Sequence, residues 1–290
     1  MRRRPGLASL PVAIVGVLAA GVLASAQQTR FVSSATGVRV DALVLQGNVP
    51  VAGLKATDFE LRDNGVVQQI DAVESNDVPI NAMLALDTSG STDGARLVEL
   101  RNAGRTLIAG LRAQDRGGLT TFSHDVRTRV PFTSNMSELG EALDRVRPSG
   151  GTSLLDGLYA AIVTTLGEPG RSLVIVCTDG RDTASWLLTD EVAEVAKRSN
   201  AVVYGVTSGR ARGAGELEDV AELTGGHVLS VEQGDDYQAR LRAILEEFRS
   251  RYVLSFTPTG VTAGGFHRLD VKVRRSGVTV RARQGYISGR

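Results

Sequence analysis

The sequence lacks several features that define large classes of proteins. Cys177 is the only cysteine among 290 residues, which excludes an intramolecular disulfide framework and a zinc site built from several cysteines. The chain contains neither a Gly-x-x-x-x-Gly-Lys phosphate loop nor a His-Glu-x-x-His motif. After three N-terminal arginines no basic run follows, and the net charge is only +1. A nucleic-acid partner held by phosphate neutralisation is therefore not expected.

The composition is that of a folded protein. Hydrophobic residues make up 42% of the chain and charged residues 22%, which is typical of a globular protein with a sizeable core. A length of 290 residues fits one large domain, or one domain of ordinary size with a small companion.

The N-terminus has the layout of a secretory signal peptide. Arg2, Arg3 and Arg4 precede an apolar run over residues 10–23, and Ala24-Ser25-Ala26 supplies small residues at the cleavage site. The alternative is an uncleaved anchor, because residues 7–26 are about long enough to span a bilayer. No other segment approaches that length. We therefore expect a secreted or periplasmic protein with no membrane span after signal removal.

The hydrophobic pattern changes twice along the rest of the chain. From Val38 it indicates short strands, including a hairpin whose tight turn is Asn64-Gly65. From Pro79 to about residue 249, apolar strands alternate with amphipathic helices, which predicts an α/β fold with a Rossmann-like, doubly wound and mainly parallel sheet. The tail returns to strand alternation over residues 269–273 and 278–282, which reads as a hairpin turning at Ser276-Gly277.

These changes predict four regions. Residues 1–26 form the signal peptide, 27–78 an N-terminal β region, 79–249 the α/β domain and 250–290 a C-terminal β region. Since the two flanks share the same strand patterning, we expect them to form one small β module into which the α/β domain is inserted.

Polar residues follow the predicted strands where their carboxyl ends should meet. The first strand of the α/β domain runs into Asp87-Thr88-Ser89-Gly90-Ser91, and a later one into Thr178-Asp179-Gly180; between them Gly150-Gly151-Thr152 opens a helix. In an open parallel sheet such loops converge at the topological switch point. Two carboxylates and three hydroxyls would meet there, and such hard oxygen ligands suit Mg²⁺ or Mn²⁺ better than zinc or copper.

This set of residues resembles the metal-ion-dependent adhesion site of von Willebrand factor type A domains. The match consists of Asp-x-Ser-x-Ser, the later Thr of Gly-Gly-Thr and the later Asp of Thr-Asp-Gly, in order, within residues 79–249. The flanking segments 51–65 and 280–286 look like the ends of bacterial exported proteins called von Willebrand factor A-related.

The resemblance implies a role for each of the five residues. Ser89, Ser91 and Thr152 would coordinate the ion through their hydroxyls, and Asp87 and Asp179 would act directly or through water. Neutral hydroxyls leave most of the ion's charge uncompensated, so a vacant position should attract a carboxylate. We therefore expect an exported protein-binding module whose protein partner presents a carboxylate, and not an enzyme.

Other interpretations of these residues remain open. Asp87 and Thr152 could merely cap helices, and Ser89-Gly90 could form a turn. The metal could activate water in a hydrolase, for which His124 is the only plausible general base, or it could only stabilise a scaffold.

Several neighbouring residues have weaker assignments. Asp156, four residues after Thr152, could orient the metal loop or simply suit the helix dipole. Solvated positions are expected for Asp93 and Asp182, structural or exposed positions for His227 and His267, and an inert buried thiol for Cys177.

Cleavage of the signal peptide can be tested on the purified protein. Mass spectrometry of the exported form should find Gln27, as glutamine or in its cyclised form, at the N-terminus. Recovery of the intact chain with Met1 in a membrane fraction would show instead that the segment is an anchor.

Overall fold

The computed structural model describes residues 37–75, 78–179, 181–208, 215–231 and 237–288, all of which belong to one compact unit. The predicted signal peptide lies outside these residues. The strands described are β1 (Val38–Gln46), β2 (Val49–Pro50), β3 (Phe59–Asp63), β4 (Val66–Gln68), β5 (Ile70–Ser75), β6 (Ile80–Asp87), β7 (Arg116–Phe122), β8 (Val126–Thr133), β9 (Arg171–Thr178), β10 (Val202–Ser208), β11 (Val228–Val231), β12 (Tyr252–Phe256), β13 (Gly265–Val273), β14 (Thr279–Ala282) and β15 (Gly285–Ser288). The α-helices described are α1 (Ala95–Gly110), α2 (Met136–Asp144), α3 (Leu154–Val163), α4 (Thr189–Arg198), α5 (Gly215–Leu223) and α6 (Tyr237–Ser250).

The central sheet has six strands in the order β11-β10-β9-β6-β7-β8. The first five are parallel, and β8 adds an antiparallel edge strand after β7. From β6 the chain continues first to β7 on one side and later to β9 on the other, so the topological switch point lies at the carboxyl ends of β6 and β9. The prediction of an α/β fold with a mainly parallel sheet is confirmed.

Helices cover both faces of this sheet. Leu84 and Leu86 of β6 belong to a core completed by α1, α2 and α6, while Met83 and Ala85 belong to a second core completed by α3, α4 and α5. Because successive side chains of a strand point to opposite faces, the unbroken apolar run of β6 fills both cores at once. None of the helices in the described part of the chain has the length and hydrophobicity needed to cross a bilayer.

Two smaller sheets are built from both flanks of the chain. One has the order β14-β1-β12-β5, with β2 paired to β1, and the other has the order β15-β13-β3-β4. Both contribute side chains to one shared core, including Val40, Phe59 and Leu254. The predicted hairpin is confirmed, since β3 pairs with β4 and the turn residues Asn64 and Gly65 adopt positive φ angles of 47° and 85°.

The prediction of a hairpin in the tail is wrong. β13 pairs with β3 and β15, whereas β14 pairs with β1 in the other sheet. The turn at Ser276-Gly277 therefore carries the chain from one sheet to the next. Val271 of β13 and Val280 of β14 pack against the same core. Alternation identified both strands but could not specify their partners, because it records only which side chains face a core.

Buried arginines join the flanking sheets to the central domain. Arg171, the first residue of β9, donates from Nε to Asp41 Oδ1 on β1 at 2.8 Å, and its guanidinium lies 4.3 Å from the centre of the Phe248 ring. A second donor of Arg171 binds the Phe248 carbonyl at 2.7 Å. Arg251, fully buried, donates to the Tyr204 hydroxyl at 3.1 Å and to the Gly225 carbonyl. The hydrogen bonds offset the desolvation cost of these charges.

Replacing Asp41 should test this connection. Asp41→Ala leaves the buried Arg171 guanidinium without its carboxylate, and breaking a buried pair in this way costs about 3–5 kcal/mol of unfolding free energy. The control is Arg39→Ala on the same strand, whose 3.5 Å pair with Glu74 is about half exposed and should contribute less than about 1 kcal/mol. Denaturant unfolding measures the loss of unfolding free energy in each variant. Equal small losses would show that the Asp41–Arg171 pair does not hold the sheets together.

Candidate metal centre

Three loops meet at the carboxyl edge of the central sheet. Asp87 is the last residue of β6, and a 3₁₀ turn over Gly90–Thr92 begins three residues later. The Gly90 amide donates to the Gly150 carbonyl at 2.9 Å, which brings the segment carrying Thr152 against this turn. Asp179 follows β9, the neighbouring strand. The five residues singled out in the sequence thus lie on three adjoining loops.

Asp87 is the buried centre of this arrangement. Its side chain is fully inaccessible, and its carboxylate accepts from the Thr178 hydroxyl at 2.6 Å and from the Ser89 amide at 2.9 Å. Burial raises the pKa of Asp87, although these two hydrogen bonds oppose the shift. A cation nearby would favour the ionised form. Thr178 was not singled out in the sequence, although its place before Asp179 at a strand end is a usable signal.

Ser89, Ser91 and Asp179 form a chain of oxygen atoms that reaches the mouth of the site at Ser91. The hydroxyls of Ser89 and Ser91 are 3.0 Å apart, and Ser91 donates to Asp179 Oδ1 at 3.0 Å. Ligands 2.0–2.1 Å from an octahedral Mg²⁺ ion are separated by about 2.9 Å along each edge, so this spacing fits such an ion. Across the described residues, no group of three or more His, Cys, Asp or Glu side chains is placed to bind a metal.

Burial increases from the mouth of the site inward. Ser91 is exposed and Asp179 is partly buried, whereas Ser89 and Thr152 are only 2% and 6% exposed. A group that approaches from solvent therefore meets Ser91 first and Asp87 last.

Arg96 is a charged neighbour that the sequence interpretation missed. It lies in the first turn of α1, and its guanidinium is 3.1 Å from Asp179 Oδ2. It also donates to the Tyr237 hydroxyl at 3.0 Å, which links the site to α6. A cation at a helix N-terminus opposes the helix dipole. An arginine in that unfavourable place, soon after the Asp-x-Ser-x-Ser motif, could have indicated a nearby carboxylate partner.

Asp182 is not the solvated residue that was expected. Its Oδ2 accepts from the Leu155 amide at 3.0 Å, and its Oδ1 accepts from the Ser185 amide at 2.9 Å and the Ala184 amide at 3.2 Å. The carboxylate therefore satisfies an amide in the first turn of α3 and folds its own loop. Sequence position alone could not show this, because the amides come from a different element.

Asp156 also binds this loop. Its carboxylate accepts from the backbone amides of Trp186 and Leu187 at 3.0–3.1 Å. The backbone of Thr152 makes two further contacts with the loop. Its carbonyl accepts from the Thr183 amide at 2.8 Å, and its amide donates to the Thr183 hydroxyl at 3.0 Å. The loop after Asp179 is thus fastened directly to the segment that carries Thr152.

The remaining candidates lie at or away from this edge. His124 is exposed and its ring packs against Gly150, while Ser123 donates directly to Asp125 at 3.1 Å. Asp93 is exposed, as expected. His267 is buried in the flanking sheets and bound to Asp63 and Tyr286, which is a structural position.

An open α/β sheet covered on both faces, with hydroxyl and carboxylate loops at its switch point, defines a class of ligand-binding domain. Within that class, residues 81–244 match the von Willebrand factor type A domain. The chain belongs to the von Willebrand factor type A domain family.

Curated relatives match part of this chain, and solved structures share its fold. The chain is 30% identical over 159 residues to inter-alpha-trypsin inhibitor heavy chain H2 of Sus scrofa, which covers 50% of the chain but only 17% of that relative. A von Willebrand factor type A structure from Catenulispora acidiphila superposes with a TM-score of 0.54 at 13% identity, covering 89% of this chain and 74% of that one. Proximal thread matrix protein 1 from the mussel byssus, with a zinc-occupied adhesion-site motif, gives a TM-score of 0.53 at 14% identity, covering 64% and 50%.

Cys177 should be inert while the protein is folded. It is fully buried next to the site, and burial, reinforced by the Asp87 carboxylate, raises the pKa of its thiol to about 12. An aromatic disulfide reagent at pH 8 should therefore label it only after denaturation, since the thiolate is the reactive form. As a control, Val98→Cys in a Cys177→Ala background places a thiol at a position that is 53% exposed, and it should react at once. Rapid native labelling of Cys177 would contradict this account of the strand.

Proposed function

We propose that this protein is an exported, adhesion-type binding module that engages an acidic group of a protein partner through a divalent cation, Mg²⁺ or Mn²⁺. The observation that carries the proposal is the run of three oxygen atoms, from Ser89 through Ser91 to Asp179, spaced at 3.0 Å. When bound, the ion supplies a positive centre that accepts a carboxylate of the partner.

Each of the five residues has a part in holding that ion. The hydroxyls of Ser89, Ser91 and Thr152 are neutral ligands, so they leave charge available for an incoming carboxylate. Asp179 is shared between Ser91 on one oxygen and Arg96 on the other, which holds its carboxylate in place. Asp87 supplies the buried negative charge beneath the hydroxyls.

Further support comes from the chain and from its structural neighbours. The zinc-occupied site of the mussel protein shows that this fold can hold a divalent ion in another chain. Export rests on the arginines and the Ala24-Ser25-Ala26 sequence at the N-terminus. A hydrolase would need a general base held against a water on the ion, whereas His124, the one histidine at this edge, is exposed beside Gly150. The neutral hydroxyls of Ser89, Ser91 and Thr152 instead leave charge for an incoming carboxylate. Binding therefore accounts for the residues better than hydrolysis does.

We further propose that residues 27–78 and 250–290 form one β module into which the metal-binding domain, residues 79–249, is inserted. The antiparallel pairing of β1 with β12 and β14, and of β3 with β13, supports this division. The module would hold the binding domain by its amino edge, where Arg171 begins β9. The metal-binding edge lies at the opposite ends of the strands.

Metal binding can be measured by titrating the full chain with Mg²⁺ in a calorimeter. Loss of an outer-shell partner costs roughly 10–100-fold in metal affinity. Ser89→Ala removes a proposed direct ligand, so we expect it to weaken Mg²⁺ binding by at least about tenfold. We expect Asp87→Ala to weaken it further, because that change removes the buried charge. The matched control is Asp93→Ala, which removes an exposed carboxylate from the same loop and should bind Mg²⁺ like the wild type. Folded wild-type protein that binds no divalent ion would reject the proposal.

Loss of the ion should also lower the free energy of unfolding. A ligand present at 100 times its Kd adds about 2.7 kcal/mol to the free energy of unfolding. Unfolding curves with Mg²⁺ and with a chelator should therefore differ for the wild type and coincide for Asp87→Ala. Coincident wild-type curves in saturating Mg²⁺ and in chelator would contradict this linkage between metal binding and stability.

Thr152→Ala should keep both carboxylates and the fold but lose partner binding, since it removes the hydroxyl expected to couple the ion to the partner.

A further inference from the structure

We infer that Trp186 is an apolar anchor beside the metal site, so that the partner presents a carboxylate with an apolar side chain next to it. This inference rests on the proposed function, because the carboxylate is the group that the ion would hold. Trp186 is the only tryptophan of the chain, and it is 92% exposed. Leu188, two residues further on, is 70% exposed.

Exposure alone does not mark a binding residue, since single exposed hydrophobic side chains are common on protein surfaces. Trp186 differs because its backbone is fixed. Its amide donates to both oxygens of Asp156 at 3.1 Å, and the next amide, that of Leu187, donates to the same carboxylate at 3.0 Å. An indole on a fixed backbone loses little conformational entropy when a partner covers it.

The loop also holds Trp186 close to the metal ligands. The Ala184 amide donates to the Thr152 carbonyl at 3.1 Å. Trp186 follows Ala184 by two residues, and two residues of chain span at most about 7 Å. A single short segment of a partner can therefore reach both the ion beside Thr152 and the indole.

The two carboxylates that hold this loop are turned toward the backbone. The carboxylates of Asp156 and Asp182 are occupied by backbone amides of α3 and of the loop itself. What the segment from Trp186 to Leu188 presents to solvent is therefore an aromatic and an aliphatic side chain. Beside them the ion would present uncompensated positive charge. The complementary ligand carries one negative and one apolar side chain.

This composition matches the energetics of protein recognition. Tryptophan is enriched among the few residues that contribute most of the binding free energy at interfaces. Its large apolar face and single polar N–H allow it to bury area without leaving a charge unpaired. A carboxylate on the ion would set the position of the partner, and contact with Trp186 would discriminate among acidic segments.

Two short capped peptides without tryptophan provide the test. One has an aspartate flanked by leucines, and the other has an aspartate flanked by glycines. Since Trp186 is the only tryptophan, fluorescence excited at the red edge of the absorption band, where tyrosine does not absorb, reports on this position alone. In Mg²⁺ the leucine-flanked peptide should shift the emission to shorter wavelength and bind at least about tenfold more tightly than the glycine-flanked peptide. A chelator should abolish both effects.

Variants separate this inference from the proposed function. By calorimetry, Trp186→Ala should bind the leucine-flanked peptide about tenfold more weakly than the wild type does, whereas Leu166→Ala, at another exposed apolar position, should not weaken it. An unfolding curve checks the fold of each variant. Mg²⁺-dependent binding of both peptides with equal affinity would overturn the role of Trp186 and leave the metal site standing. If neither peptide binds in a Mg²⁺-dependent way, both the role of Trp186 and the proposed carboxylate-binding function are overturned.

Discussion

Asp87 accepts hydrogen bonds from the Thr178 hydroxyl and the Ser89 amide while fully removed from solvent. These two contacts tie the end of β9 and the start of the first loop to the end of β6. A buried carboxylate is unfavourable unless it is hydrogen-bonded and faced by positive charge. A cation held by the surrounding oxygen atoms, from Ser89 through Ser91 to Asp179, would meet that requirement, as we propose.

Rigidity around this centre comes from two directions. On the solvent side, Asp156 and Asp182 fasten the loop after Asp179 to the start of α3, so the third loop cannot shift independently of Thr152. At the other end of the strands, Arg171 and Asp41 join β9 to the flanking sheets. Contacts at the amino ends of the strands and contacts within the loop after Asp179 thus both restrict movement at the carboxyl edge of the sheet. The backbone of an exposed residue such as Trp186 can consequently keep a defined position.

The fold was predictable because it follows from local rules, and the same rules predict that the five candidate ligands lie on loops that meet at one edge. Apolar strands covered on both sides read as continuous runs, and loops after parallel strands must meet at one edge. The sequence left two roles open for Asp156, and its contacts with the Trp186 and Leu187 amides agree with the one in which it orients the loop. Asp182 was misjudged and Arg96 was missed because their partners come from other elements of the fold. The strands β13 and β14 were identified as strands but assigned to each other, since alternation records burial and not pairing.

The central claim is that a divalent cation binds at the end of β6. Anomalous diffraction from crystals of the full chain grown with Mn²⁺ tests it most directly, because the anomalous signal locates the ion without reference to the protein atoms. The account predicts one strong peak within coordination distance of the hydroxyls of Ser89, Ser91 and Thr152. Ordered loops at this edge with no peak, or with the peak elsewhere on the protein, would contradict it.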